Sequence, residues 1–90
     1  MAENAQRIDK WLWFARLVKT RTLAARFVEE GAVRANRQKV LKASHAVSVG
    51  DVLTLSLHGR VRVLRVDGIG TRPGPAPGAQ ALYSEITSQG

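Results

Sequence analysis

Gly31 divides the most constraining stretch of this chain, Arg7 to Lys42, into two different patterns. Before it, apolar residues recur at helical spacing; from Val33 onward they fall into short extended segments. At about 100° per residue, Ile8, Trp11, Leu12, Ala15 and Val18 share one face of a first helix, the face a small core would cover. Asp9 suits the first turn of that helix, where a carboxylate meets unpaired amides and the positive end of the dipole. Lys10, Trp13, Arg16 and Leu17 lie off the core face. Trp13 falls nearly opposite it, so the second side of the helix needs a cover or a use.

Either Thr20 or Thr22 can cap a second helix that runs to about Glu30, with Leu23, Ala24, Phe27 and Val28 inward and Gly31 as its left-handed stop. So short a connection leaves Lys19 and Arg21 exposed at an elbow beside a helix N-terminus, a natural place for phosphate. Asn36-Arg37 then turns Val33-Arg34-Ala35 back into Gln38-Lys39-Val40. Asn tolerates positive φ and Arg does not favour it, so a type I turn with a bulge is the alternative to a primed turn.

Leu41 to Ser48 reads as a connector. Gly50-Asp51 leads into Val52 to Leu57, whose Leu53, Leu55 and Leu57 share a face, and His58-Gly59 turns into Arg60 to Val66. The alternation slips at Val63-Leu64, which predicts a β-bulge or a strand buried on both faces. Residues 68–78 hold too much Gly and Pro for regular structure and read as a mobile loop. After them, Ala79 to Ile86 forms a closing helix or an added strand, with the helix preferred. Leu82 and Tyr83 in that segment are the expected cover for Trp13, whose other use would be stacking on a base. The expected organisation is one α+β domain: a flexible N-terminus over 1–6, the domain proper over 7–68, and a loop with a packing segment over 69–90.

The charge is concentrated. Arg7 to Arg21 and Arg34 to Lys42 together carry +8, leaving −1 for the rest of a chain whose total is +7. A pI near 11.2 calls for an anionic partner, and a membrane is disfavoured because the first helix commits its apolar face to a core. The absence of Cys, of a signal-like N-terminus and of any membrane-length apolar run fits a cytoplasmic protein in a reducing compartment.

Catalytic candidates are few. His45 and His58 stand in a connector and a turn, without Cys or carboxylates at ligand spacing, so neither a metal site nor a cofactor is expected. Gly68-Ile69-Gly70 starts like a dinucleotide loop, yet lacks its third Gly and its helix. Asp9, Asp51 and Asp67 read as cap and turn residues. The basic cluster is the positive finding, and its bland alternative is a solvated face. Arg7, Lys19, Arg21, Arg34, Arg37 and Lys39 are the candidates for phosphate contact, flanked by Lys10 and Arg16, with the Asn36 amide in reach of a ribose or base edge. Arg26 is expected to pair with Glu29 and Glu30.

Arg7-Ile8-Asp9-Lys10-Trp11-Leu12-Trp13-Phe14-Ala15-Arg16, Lys19-Thr20-Arg21-Thr22-Leu23-Ala24, Gly31 to Asn36 and Val49 to Leu53 together resemble the ribosomal protein S4-type RNA-binding domain, the alpha-L motif. The first segment, and the tail Arg72 to Ala76 with Ala79 to Tyr83, are similar to the bacterial heat-shock protein 15 family. The resemblance implies two helices on a small, mostly antiparallel sheet, and an L-shaped surface gripping structured RNA. It implies association with the large ribosomal subunit, in rescue of subunits that retain a nascent chain on transfer RNA, by a protein that is not an enzyme. The positions it implicates are Arg7, Lys10, Lys19, Thr20, Arg21, Arg34, Asn36 and Arg37. Two departures stand out: Arg37 occupies the place of the family's usual Gly, and no Lys or Arg follows Arg72. A monomer is expected. The alternatives are an RNA-targeting module of an enzyme such as a pseudouridine synthase, and a basic adaptor for DNA or an acidic protein.

Overall fold

The computed structural model describes residues 5–57, 59–70 and 82–86. In chain order they form β1 (Ala5–Arg7), α1 (Ile8–Phe14), α2 (Arg21–Glu29), β2 (Val33–Ala35), β3 (Gln38–Val40), β4 (Ala46–Ser48), β5 (Val52–Leu57), β6 (Arg60–Val66) and β7 (Tyr83–Glu85). Five strands make one antiparallel sheet in the order β3-β2-β5-β6-β7, and β1 pairs with β4 in a separate antiparallel ribbon. This is the expected α+β arrangement of two helices on a small sheet.

Both helices end in the same way, and the first ends earlier than its periodicity predicts. In α2, Thr20 Oγ1 accepts from the Leu23 amide at 3.1 Å and settles the choice of cap. At its other end Gly31 takes φ +84°, its N–H donating to Val28 O while Ala32 N–H reaches Phe27 O. These are the two bonds of a Schellman motif. The same pair closes α1: Arg16 N–H donates to Trp13 O and Leu17 N–H to Leu12 O, with Arg16 at φ +60°. The helix expected to continue to Val18 therefore stops at Phe14, on an arginine that takes the role usually left to glycine.

The core lies between the helices and one face of the sheet. Ile8, Trp11, Leu12 and Ala15 of the first helical segment meet Ala24 and Val28, and beneath them Val33, Leu53, Leu55, Leu64 and Val66 are fully or almost fully buried. Each large side chain so buried contributes about 1.5–3 kcal/mol. Leu53, Leu55 and Leu57 share the inner face as expected.

No bulge interrupts β5 and β6: the register runs unbroken from Val52 opposite Arg65 to Leu57 opposite Arg60. Leu64 and Val66 point inward with Arg60 and Arg62 in the same phase, and Val61 is 69% exposed on the outer face. The slip in hydrophobic pattern arises because the helices cover only one end of β6. At the uncovered end Arg62 takes an inward position and is satisfied by Glu85 at 2.6 and 2.9 Å.

Two short strands were not anticipated, and a third was the less favoured of two readings. Ala5 and Gln6, within the segment expected to be flexible, join β1, and the connector over 41–48 contributes β4. The preferred closing helix is instead strand β7, added to the edge of β6. Leu82 and Tyr83, the expected cover for Trp13, pack against the core. Tyr83 meets Trp11 edge-on at 6.3 Å, and Leu82 sits beside Gly68 and Gly70. Trp13 is half-buried and lies 5.4 Å from the ring of Phe14. Gly70 passes so close to Phe14 that a Cβ there would fall 3.0 Å from Phe14 Cβ and 3.2 Å from Leu82 Cδ1. The expected turn at His58, the Gly/Pro run over 71–78 and Ala79 to Ala81 lie outside the described residues.

Candidate nucleic-acid interface

Arg7 ends β1 and Arg21 begins α2, and a single carboxylate joins them. Asp9 is 2% exposed, and a buried carboxylate without donors would cost several kcal/mol. It has four donors: Arg7 Nε and Nη2, each at 3.1 Å, the Lys10 amide at 2.8 Å, and Arg21 Nε at 3.3 Å. Burial pushes its carboxyl upward, but the two guanidinium groups and the amide outweigh that and hold it below the ordinary aspartate range. Asp9 thus meets a first-turn amide as the sequence suggests, and is an internal clamp as well. Backbone satisfies the two amides before that one: Ile8 and Asp9 N–H groups donate to His45 O and Ala43 O.

The two arginines remain open to solvent, with side chains 46% and 41% exposed. Beside Arg21, Lys19 and Thr20 are exposed and Lys10 is half-buried. No acidic residue stands in the first turn of α2, so its positive dipole end and these cations face outward together.

The hairpin tip is linked to this cluster through the fold. Asn36 Nδ2 donates to Asp51 Oδ1 at 3.2 Å, and Asn36 Oδ1 accepts from the Val52 amide at 3.0 Å. Asp51 Oδ2 in turn accepts from the Ser48 amide at 2.9 Å, and Ser48 ends β4, whose partner β1 carries Arg7. The Asn36 amide is therefore used inside the protein, as a brace rather than a free reader of ribose or base. Asn36 and Arg37 have φ of +51° and +76°, the primed pattern, so the type I alternative is replaced. Arg37 is exposed at that tip without an ion pair among the described residues.

Arg34 and Lys39 are cross-strand neighbours on the outer face, and like charges so placed repel. Lys39 leans away: its Cε and Nζ lie 3.2 and 3.4 Å from where a Gly31 Cβ would be. That puts its ammonium at the C-terminal end of α2, favourable for a cation but at the far end of the helix from Arg21. The structure therefore joins Arg7 and Arg21 at Asp9, with Lys10, Lys19 and Thr20 next to them in the chain, and carries Arg34, Arg37 and Lys39 on a hairpin braced through Asn36.

The other basic residues divide similarly. Arg65 pairs with Asp67 at 2.8 Å, and Asp67 also accepts from Ser84. Arg26 has no ion pair with Glu29 or Glu30, contrary to expectation, and instead lines an open groove of about 850 Å³ with Lys19, Leu23 and Phe27. The sequence gives no hint of this groove because Leu17, Val18 and Leu57 meet there only once α1 stops short. Among the described residues no group of three or more His, Cys, Asp or Glu is placed to hold a metal ion. Nor is any described helix long and apolar enough to cross a membrane.

Comparison with known proteins agrees with this architecture. The family described as the S4 domain matches residues 6–53, more than half of the chain. The heat shock protein 15 homolog of Haemophilus influenzae is 40% identical over 88 residues, covering 98% of this chain and 66% of its own. Heat shock protein 15 of Escherichia coli is 42% identical over 79 residues, covering 88% and 59%. The chain thus spans roughly three-fifths to two-thirds of the length of these relatives. A trimeric structure of Vibrio cholerae heat shock protein 15 superposes with a TM-score of 0.86 at 40% identity, covering 94% of this chain and 84% of that one. By fold, by the matched segment and by identity over nearly its whole length, the chain belongs to the S4 domain family and, within it, to the heat shock protein 15 proteins.

Proposed function

We propose that this protein binds structured ribosomal RNA on the large ribosomal subunit, in the heat-shock and ribosome-rescue role that the resemblance implies. It acts by binding and not by catalysis. The observation that carries the reading is the Asp9-centred cluster. Two arginines meet at one buried carboxylate beside a helix N-terminus with no acid in its first turn, and a chain of hydrogen bonds through Asp51 ties them to the tip that bears Arg37. Such a surface suits phosphates and ribose held in a fixed shape, with little reading of base edges. Arg7, Lys10, Lys19, Thr20, Arg21, Arg34 and Arg37 supply the contacts, Asn36 supports the tip, and Lys39 extends the field at the end of α2.

Salt titration of binding to purified large-subunit ribosomal RNA tests this. With about five phosphates neutralised, log affinity falls against log salt with a slope of roughly −3.5 to −4.5. Equal or tighter binding to duplex DNA would favour the adaptor reading, and an affinity insensitive to salt would end the electrostatic one. Co-sedimentation with separated ribosomal subunits tests the large-subunit assignment. A monomer is the expectation from the sequence; the trimeric form of the Vibrio cholerae relative favours self-association, which sedimentation velocity decides.

A further inference from the structure

The RNA-binding reading leaves one element without a role at the surface: the only buried acid among the described residues lies within the most basic part of the molecule. On charge alone Asp9 is a liability there, since a carboxylate near bound phosphate repels it. Its geometry suggests the opposite effect. Arginine side chains carry about 2 kcal/mol of rotamer entropy, and a flexible guanidinium must be ordered before it can grip a phosphate. Arg7 spends Nε and Nη2 on Asp9, and Arg21 spends only Nε. Arg7 Nη1 and both Arg21 Nη groups are thereby left without a hydrogen bond among the described residues. The two Arg side chains are nearly half exposed while the carboxylate they hold is 3% exposed, so each is anchored at its inner edge and presented at its outer one.

Resting on the RNA-binding reading, we propose that Asp9 is a positioning residue of the interface: it fixes Arg7 and Arg21 in the unbound protein so that their outward donors meet phosphate already ordered. The clamp also joins two elements, the end of β1 and the start of α2, whose relative placement sets the spacing between the two cations. The consequence has a sign that simple charge counting reverses. Neutralising this acid weakens RNA binding, although it makes the protein more cationic.

The test compares Asp9→Asn with Glu29→Gln, an exposed acid on α2, by filter binding to purified large-subunit ribosomal RNA at matched salt and at a temperature where circular dichroism shows both variants folded. Glu29→Gln should bind as tightly as the unaltered protein or slightly tighter. Asp9→Asn should bind at least fivefold more weakly; equal or tighter binding by folded Asp9→Asn overturns the proposal. Asp9→Glu keeps the charge but displaces the carboxylate by one methylene, and should also weaken binding; unaltered affinity there counts against positioning. In the unaltered, RNA-free protein, the Nε–H resonances of Arg7 and Arg21 should exchange with water more slowly than that of Arg37. Indistinguishable exchange overturns the proposal even if every Asp9 variant fails to fold. Failure of the unaltered protein to bind RNA at all would instead remove the functional reading beneath it.

Discussion

Replacing Arg37 with glycine should make the protein more stable and a poorer RNA binder. Arg37 sits at φ +76° in the hairpin turn, where a residue with a Cβ is strained by roughly 1–2 kcal/mol. Glycine removes that strain but loses about 0.5–1 kcal/mol more conformational entropy on folding. The balance lies between zero and a gain of about 1.5 kcal/mol, which for a domain of this size raises Tm by up to roughly 12 °C. The hydrogen bonds that brace the turn belong to Asn36, Asp51 and Val52, so the substitution leaves them in place. Binding should move the other way. A unit charge about 4 Å from phosphate in water is worth about 1 kcal/mol, close to a fivefold change in Kd, and the salt slope should become shallower by about 1. Urea denaturation and filter binding on the same preparation measure both. A destabilised Arg37→Gly would refute the strain argument, and an unaltered salt slope would remove Arg37 from the interface.

Two other outcomes follow from packing and titration. Gly70→Ala places a methyl 3.0 Å from Phe14 Cβ and should destabilise the fold by about 1–3 kcal/mol in a urea melt; an unshifted midpoint would mean that this segment is not docked on α1. Asp9 has a folded pKa below its unfolded one, so the stability it contributes is complete above the ordinary aspartate range and is lost as pH falls through the depressed value. Urea melts of the unaltered protein and Asp9→Asn should therefore converge as pH drops below that range, and a gap independent of pH would contradict the ion-pair account.

The parts of the fold legible in the sequence are those specified by local chemistry. Thr20 and Gly31 delimit α2 because a hydroxyl cap and a left-handed stop act on their own neighbours. Leu53, Leu55 and Leu57 declare a buried face by simple alternation. What escaped depends on distance or on an exception. The end of α1 is set by Arg16 in a conformation that composition signals only through Gly or Asn. Strands β1 and β4 have no tight turn between them to announce the pair, and β7, the less favoured of two readings, likewise exists through a distant partner. Asp9 looked like a cap because its main partner on the other helix, Arg21, lies twelve positions away. The grouping of the candidate site's basic side chains was legible as charge, whereas what holds it together was not. That grouping needs the clamp at Asp9 and the brace at Asn36, neither of which leaves a trace in spacing.

Gln6 and Gly70 exchange two hydrogen bonds, at 2.6 and 3.2 Å, and the Trp11 indole donates to Gly68 O at 2.9 Å. These contacts close the chain on itself across 64 and 57 positions, so the segment carrying Arg7 and Asp9, already paired with β4, is held also by residues synthesised much later. During translation, the first residues to emerge must wait for Gly68 and Gly70 before their surface acquires its final form. A molecule that grips ribosomal RNA in this way would complete its gripping surface only after Gly70 had left the particle making it.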